Sequence, residues 1–507
     1  MLKLLKVMAT MASASLLSQV LGIFTNKILA VVMGPAGVGM YGLYRQLVDI
    51  AANLASIGSG GGFVQAMSST EGEAQLRRLA AAIWLNFLAI LLTSLVMIFF
   101  APSIARIYFV QTDPTIRWAV VWLGAPVALI QFALTASNLL SVSQSFRLLG
   151  IVMVAPALAS LLFAYPLAIL AAQDNQWGYI GLLMVPPALQ ILVALPILHR
   201  LGWLRQIGAS FRVKPRRADI LHYVRFHGTS LVAALASSVT FLVLPPLLIH
   251  NHGAEANGYF RAAWMLGIQS LALMLSSFGA YIMPVLGRAK VEAERRKVMD
   301  DALLLAVLFS LPMIGTLIVF QPLIIRILYN QEFLPSIEML HWILLGSYFR
   351  IIQWILVTGA TARAHMTIFT VTEVVFYCGF FAIGWLSVGF PPGGGPIPWL
   401  SGIRGLGFAY FVSHIVTSTL AVGYSWQRYG YLPPPRTISV WLVGLAVIAL
   451  CSFMTWNEWS VNWPLSLALS LLCCAASALL IDAGHRAQLK KSIVSILTSR
   501  TRDGAPD

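Results

Sequence analysis

From Tyr41 the chain reads YGLYRQLVDIAAN, which sets Tyr41, Arg45, Asp49 and Asn53 at intervals of four residues. That spacing puts all four on one face of a helix. A guanidinium one turn from a carboxylate can satisfy it internally, bind an anionic or polar ligand, or line a path for an ion. Lys27 stands just before them in the same apolar region, across the run Gly34, Gly37, Gly39 and Gly42. That glycine run superficially resembles a phosphate loop. A Walker loop would need Lys-Ser/Thr after Gly39, where this chain has Met40-Tyr41, and a dinucleotide fingerprint would need a preceding strand. Gly34-Pro35 is instead expected to end one helix, with the glycines allowing a tight turn and close helix contact.

The elements that hold these residues follow from composition. The chain has 507 residues, 59% of them hydrophobic and only 10% charged, with a mean hydropathy of +0.81. A soluble chain carries about 25% charged residues, so most of this one has the bilayer as its solvent. Arg45 and Asp49 then lie about 10 Å and about 16 Å inside the second span at 1.5 Å per residue. Each costs ~2.5–3.5 kcal/mol if it faces lipid, so the stripe is expected to face protein or a water-filled cavity.

Fourteen stretches are long and apolar enough to span, beginning with an uncleaved first span near 7–33 and a second near 38–67. The expected class is an all-α polytopic membrane protein of about 14 transmembrane helices, arranged as two pseudo-symmetric six-helix lobes plus two C-terminal helices. The lobes are 1–198 and 221–426, joined by a basic cytoplasmic linker at 199–220. Two additional helices occupy 427–484, and an amphipathic basic tail follows at 485–507. The duplication shows in a shift of 219 residues. GPAGVGMY at Gly34–Tyr41 overlays GAEANGYF at Gly253–Phe260, pairing Gly34 with Gly253, Gly39 with Gly258 and Tyr41 with Phe260. Both copies join an odd span to an even one, which implies two bundles of the same orientation.

The net charge of +15 is read as topology. With both termini cytoplasmic, 24 of the 33 basic residues fall in inner segments and four in outer ones. That distribution accounts for the basic excess without nucleic acid. Within the spans lie Lys27, Arg45, Arg225, Arg261 and Arg350, against Asp49 and Glu373. A cation-rich cavity suits an anionic substrate. Glu373 and Asp49 are candidates for ion coupling or a structural pair, and His222, Arg225 and His227 mark the cytoplasmic end of the seventh span as an entrance. Pro186-Pro187, Pro245-Pro246, Pro284 and the Gly58–Gly62 region are candidate helix breakers. The four cysteines, in apolar runs, are expected to be buried thiols. No catalytic residue, metal site or cofactor is expected.

The segment KILAVVMGPAGVGMYGLYRQLVDIAANLASIG resembles the first two spans of Wzx-type flippases for lipid-linked oligosaccharides, of the O-antigen and enterobacterial common antigen types. GYFRAAWMLGIQSLALMLSSFGAYIMPVLGR resembles the corresponding later segment of that family. The resemblance covers about the first 426 residues and places the chain in the multidrug/oligosaccharidyl-lipid/polysaccharide exporter superfamily. Such proteins commonly have twelve spans, so the last two borrow no role. The resemblance implies a bacterial inner-membrane flippase that works by alternating access. It would move an undecaprenyl-diphosphate-linked oligosaccharide to the periplasmic leaflet, as a monomer among membrane lipids, beside polysaccharide polymerase machinery. Lys27, Arg45, Asp49 and Arg261 are carried over from the matching segments, while Asn53 and Arg350 follow from face and depth. The alternatives are a cation-coupled multidrug exporter of the same superfamily, which the cationic excess opposes, and a polyprenyl-sugar glycosyltransferase or polymerase, which the short outer loops oppose. A scaffold without transport is the fourth.

Overall fold

The structure is a computed structural model that describes residues 2–111, 113–288, 291–363, 365, 367–456 and 462–480. The basic tail at 485–507 lies outside the described residues. In chain order the α-helices are α1 (Leu2–Ala55), α2 (Gly61–Ser68), α3 (Gly72–Ile107), α4 (Pro114–Trp122), α5 (Gly124–Val142), α6 (Phe146–Ala172), α7 (Gln176–Arg200), α8 (Trp203–Ser210) and α9 (Arg217–His252). They continue as α10 (Ala254–Arg288), α11 (Glu292–Val319), α12 (Gln321–Leu328), α13 (Ile337–Thr361), α14 (Thr367–Val388), α15 (Ile403–Tyr429), α16 (Pro435–Thr455) and α17 (Trp463–Leu480). Among the described residues, 12 helical stretches are long and apolar enough to cross a membrane. The first, Ser13–Ser68, runs through the kink at Gly34 and so holds the two spans separated in the sequence. The 35-residue α10, which carries the predicted eighth span, is not among the 12.

Gly34 has φ 63° and ψ −177°, a conformation that only glycine adopts without strain, and helix resumes at once with Pro35. The turn is therefore one residue long. Gly37, Gly39 and Gly42 lie inside helix, where they serve close packing and not the turn. Gly253, the repeat partner of Gly34, also has positive φ, at 89°.

The helix breaks again after Ala55, and buried amides repair the break. Gln131 Nε2 donates to Ala52 O at 2.6 Å, and Asn86 Oδ1 accepts from Gly58 N at 3.0 Å. A Cβ on Gly58 would sit 2.3 Å from Ala82 O, so helix α3 passes too closely for any side chain there. The predicted span at 116–142 is likewise divided at Leu123, between α4 and α5.

Two compact units are found. One comprises Met1–Met265, Ile325–Met339 and Thr370–Ala409, the other Leu266–Ile324, Leu340–Phe369 and Tyr410–Asp507. In the first unit, Phe241 of α9 packs against Trp264, Tyr377 and Phe380, and Asn251 Nδ2 donates to Val388 O at 2.7 Å. Trp203 and Leu204 of the short α8 pack on the same unit's core, and Trp203 Nε1 donates to Ser143 Oγ at 2.6 Å.

In the second unit, α16 and α17 pack on α11 and α13. Tyr348 stacks on Trp441 with centroids 5.9 Å apart, Ser477 Oγ donates to Leu308 O at 2.6 Å, and Gly315 leaves room for Cys473. Cys451 and Cys473 are buried with their sulfurs 3.6 Å apart. Cys378 and Cys474 are exposed, contrary to the expectation of four buried thiols.

Candidate functional site

Past the Gly34 kink, α1 carries Tyr41, Arg45 and Asp49 into a cavity of about 360 Å³ within the first unit. Arg45 Nε lies 3.7 Å from Asp49 Oδ2, and the side chains are 59% and 48% exposed. Such exposure at membrane depth is tolerable only because the cavity receives both charges. Asn53, one turn further, is exposed but is not among the lining residues. Because helix starts at Pro35, Arg45 sits about a turn deeper than its spacing from residue 38 implied.

The opposite wall comes from α6 and α7. Ser160 and Gln190 face the cavity together with Pro156, Pro186 and Pro187. Proline has no amide hydrogen, so Pro186 and Pro187 offer no donor to the carbonyls of Leu182 and Leu183 four residues earlier. Both leucines line the cavity. Helix α7 continues through the proline pair, so the prolines do not end the element. Gln190 and Asn26, which also lines the cavity, were not singled out in the sequence. Gln190 falls one turn after Pro186, a spacing that points it to the same face.

The other predicted cations are engaged elsewhere. Lys27 Nζ donates to Arg326 O at 2.8 Å and to Tyr329 O, and it does not line the cavity. Arg261 Nη2 donates to Gly42 O at 2.6 Å, and its Nη1 donates to Gln46 Oε1 at 3.0 Å. It too is absent from the lining. Around it the repeats touch at equivalent positions. A Cβ on Gly258 would be 2.0 Å from Pro35 O, one on Gly39 would be 2.9 Å from Gly258 N, and Asn257 Nδ2 donates to Gly39 O at 2.7 Å.

Arg350 belongs to the second unit, where it is half-buried with Nη1 3.5 Å from Tyr410 Oη. One turn along α13, Gln353 Oε1 accepts from Thr417 Oγ1 at 2.9 Å and lies 3.1 Å from His414 Nδ1. Glu373 is half-buried on α14 in the first unit. His222 and Arg225 line an open pocket of about 470 Å³ at the start of α9, with Ala218 and Leu221. His227, two residues after Arg225, is half-buried.

A bundle of long apolar helices with a paired charge lining a cavity defines a polytopic all-α membrane protein with a transporter fold. Residues 4–290 match the model of the polysaccharide biosynthesis protein family, over more than half of the chain, and the chain belongs to that family. It is 23% identical over 431 residues to the lipid III flippase of Escherichia coli (strain K12), covering 82% of this chain and 97% of that one. Its fold is shared with the lipid II flippase MurJ in an inward closed conformation, at TM-score 0.70 and 14% identity over 92% of this chain and 97% of that one. It is also shared with an inward-facing multidrug resistance MATE family transporter of the MOP superfamily, at TM-score 0.66 and 13% identity over 86% and 95%.

Proposed function

We propose that this protein is a bacterial inner-membrane flippase. It moves an undecaprenyl-diphosphate-linked oligosaccharide from the cytoplasmic to the periplasmic leaflet, with both termini in the cytoplasm and alternating access between two six-helix lobes. The observation that supports it most directly is the Arg45–Asp49 pair, held half-exposed in a cavity among apolar helices in a chain of this family. A polar head group can enter such a cavity while its polyprenyl tail stays in lipid, and no covalent step is required. Arg350 and Glu373, half-buried in membrane helices, are further candidates for contact with the head group or a coupling ion. His222 and Arg225, in the pocket at the start of α9, are candidates for first contact with the phosphate-bearing end.

The test is transbilayer movement of a fluorescent undecaprenyl-diphosphate oligosaccharide in proteoliposomes. The wild type is expected to move it, and Arg45→Gln combined with Asp49→Asn to slow it at least about tenfold, equivalent to about 1.4 kcal/mol. Movement at the wild-type rate by the double variant would overturn the role of the cavity. Asp49 also suits cation-coupled drug export, since an acid in a cavity can bind a proton or metal cation. Drug susceptibility of a deletion strain separates that reading, because a dedicated oligosaccharide flippase leaves it unchanged.

A further inference from the structure

We propose that the cavity beside Arg45 and Asp49 is the sugar subsite of the transported molecule and that the diphosphate is held outside it. This rests on the flippase reading and specifies which part of the head group this site takes.

Charge is the first argument. Among the described lining residues Arg45 and Asp49 are the ionised side chains, one of each sign and 3.7 Å apart, so the wall carries no net charge. The predicted span cations Lys27 and Arg261 do not contribute. Lys27 is turned to the carbonyls of Arg326 and Tyr329, and Arg261 to Gly42 O and Gln46 Oε1. A diphosphate entering here would meet one guanidinium already facing a carboxylate.

Hydrogen-bonding capacity is the second argument. A phosphate oxygen at neutral pH only accepts, whereas a sugar hydroxyl both donates and accepts. The cavity supplies acceptors in the Asp49 carboxylate and in the side-chain carbonyls of Asn26 and Gln190. Donors come from Arg45 and from the second amide hydrogens of Asn26 and Gln190, whose nitrogens also donate to Met265 Sδ at 3.2 Å and Ser137 Oγ at 3.0 Å. The acceptors match hydroxyls and repel phosphate.

The wall between the polar groups is apolar, with Leu29, Ile130 and Met265. Such surface fits the C–H faces of a pyranose ring and gives nothing to a fully hydrated anion.

The test uses the purified full-length protein in detergent, with chitotriose, maltotriose and inorganic pyrophosphate as probes and saturation-transfer NMR as the readout. At least one trisaccharide is expected to bind, and its affinity to stay within about twofold as salt rises, because screening weakens charge attraction and not neutral hydrogen bonds. Asp49→Asn, which preserves shape, and Gln190→Leu are each expected to weaken sugar binding about tenfold. Pyrophosphate is expected not to displace the sugar. The proposal is overturned if neither trisaccharide binds at millimolar concentration. It is also overturned if pyrophosphate displaces the sugar, or binds in a way that Arg45→Gln weakens and Asp49→Asn strengthens. Sugar binding without transbilayer movement would sink the flippase reading and leave the subsite standing. Movement with a pyrophosphate-filled cavity would do the reverse.

Discussion

Arg261 donates a 2.6 Å hydrogen bond to the carbonyl of Gly42, the residue 219 positions before it. That interval is the shift that overlays GPAGVGMY on GAEANGYF, so the contact joins positions that correspond under it. Gly39 and Gly258, also 219 apart, meet one turn away. Arg261 is thus a strut at the meeting of the repeats, and Gly42 is small because the guanidinium occupies the space a Cβ would need, with Nε 2.6 Å from that position.

The strut predicts a graded response to added methyl groups. Gly258→Ala puts a Cβ 2.0 Å from the carbonyl oxygen of Pro35, and backbone cannot move aside as a side chain can. It is expected to cost about 1–3 kcal/mol by overpacking, seen as a lower unfolding midpoint of the purified protein. Gly423→Ala, with nothing within 4 Å, is the matched control. It should be neutral or stabilising by up to about 1 kcal/mol from helix propensity. Equal midpoints for the two variants would remove the glycine contact from the account.

Lys27→Met separates a structural ammonium from a ligand-binding one. Its Nζ serves the carbonyls of Arg326 and Tyr329, and charged hydrogen bonds of this kind contribute about 1.5–3 kcal/mol. A lower unfolding midpoint with unchanged oligosaccharide affinity is expected. Weakened affinity at unchanged stability would return Lys27 to the substrate path.

These two residues also show how far the sequence could be read. The face shared by Tyr41, Arg45 and Asp49 was legible because helical spacing is local, and the span pattern was legible because apolar length is. The direction of Lys27 was not, since its partners lie about 300 residues away and a carbonyl leaves no mark in residue type. The partners of Arg261, Gly42 O and Gln46 Oε1, were not legible either. The equivalence of Arg261 to Gly42 follows from the same 219-residue shift, yet sequence cannot say that two equivalents touch. Gln190 carried a usable signal, one turn after Pro186, that counting charges passed over.

The Arg45–Asp49 pair predicts a split between stability and transport. Both groups are about half exposed to the cavity, so water screens them and the pair stabilises the fold by at most about 1 kcal/mol. Arg45→Gln and Asp49→Asn should leave the unfolding midpoint nearly unchanged while slowing oligosaccharide movement. Their effects on movement should not add, because the two groups face one ligand volume. Additive losses in the double variant would mean that the residues act at separate places.

The last two helices make the fourth prediction. They are bound to the second unit by the Tyr348–Trp441 stack, the Ser477–Leu308 hydrogen bond and the seat of Cys473 over Gly315. A Cβ on Gly315 would stand 2.4 Å from Cys473 Sγ. Gly315→Leu should therefore push α17 off α11 and lower the unfolding midpoint, and Cys473→Ala in the same chain should recover part of the loss by vacating the sulfur's volume. Rescue of this kind requires direct contact between the two positions. If Cys473→Ala instead adds its own loss to that of Gly315→Leu, α17 does not rest on that face of α11, and the two extra helices are not the brace that this packing describes.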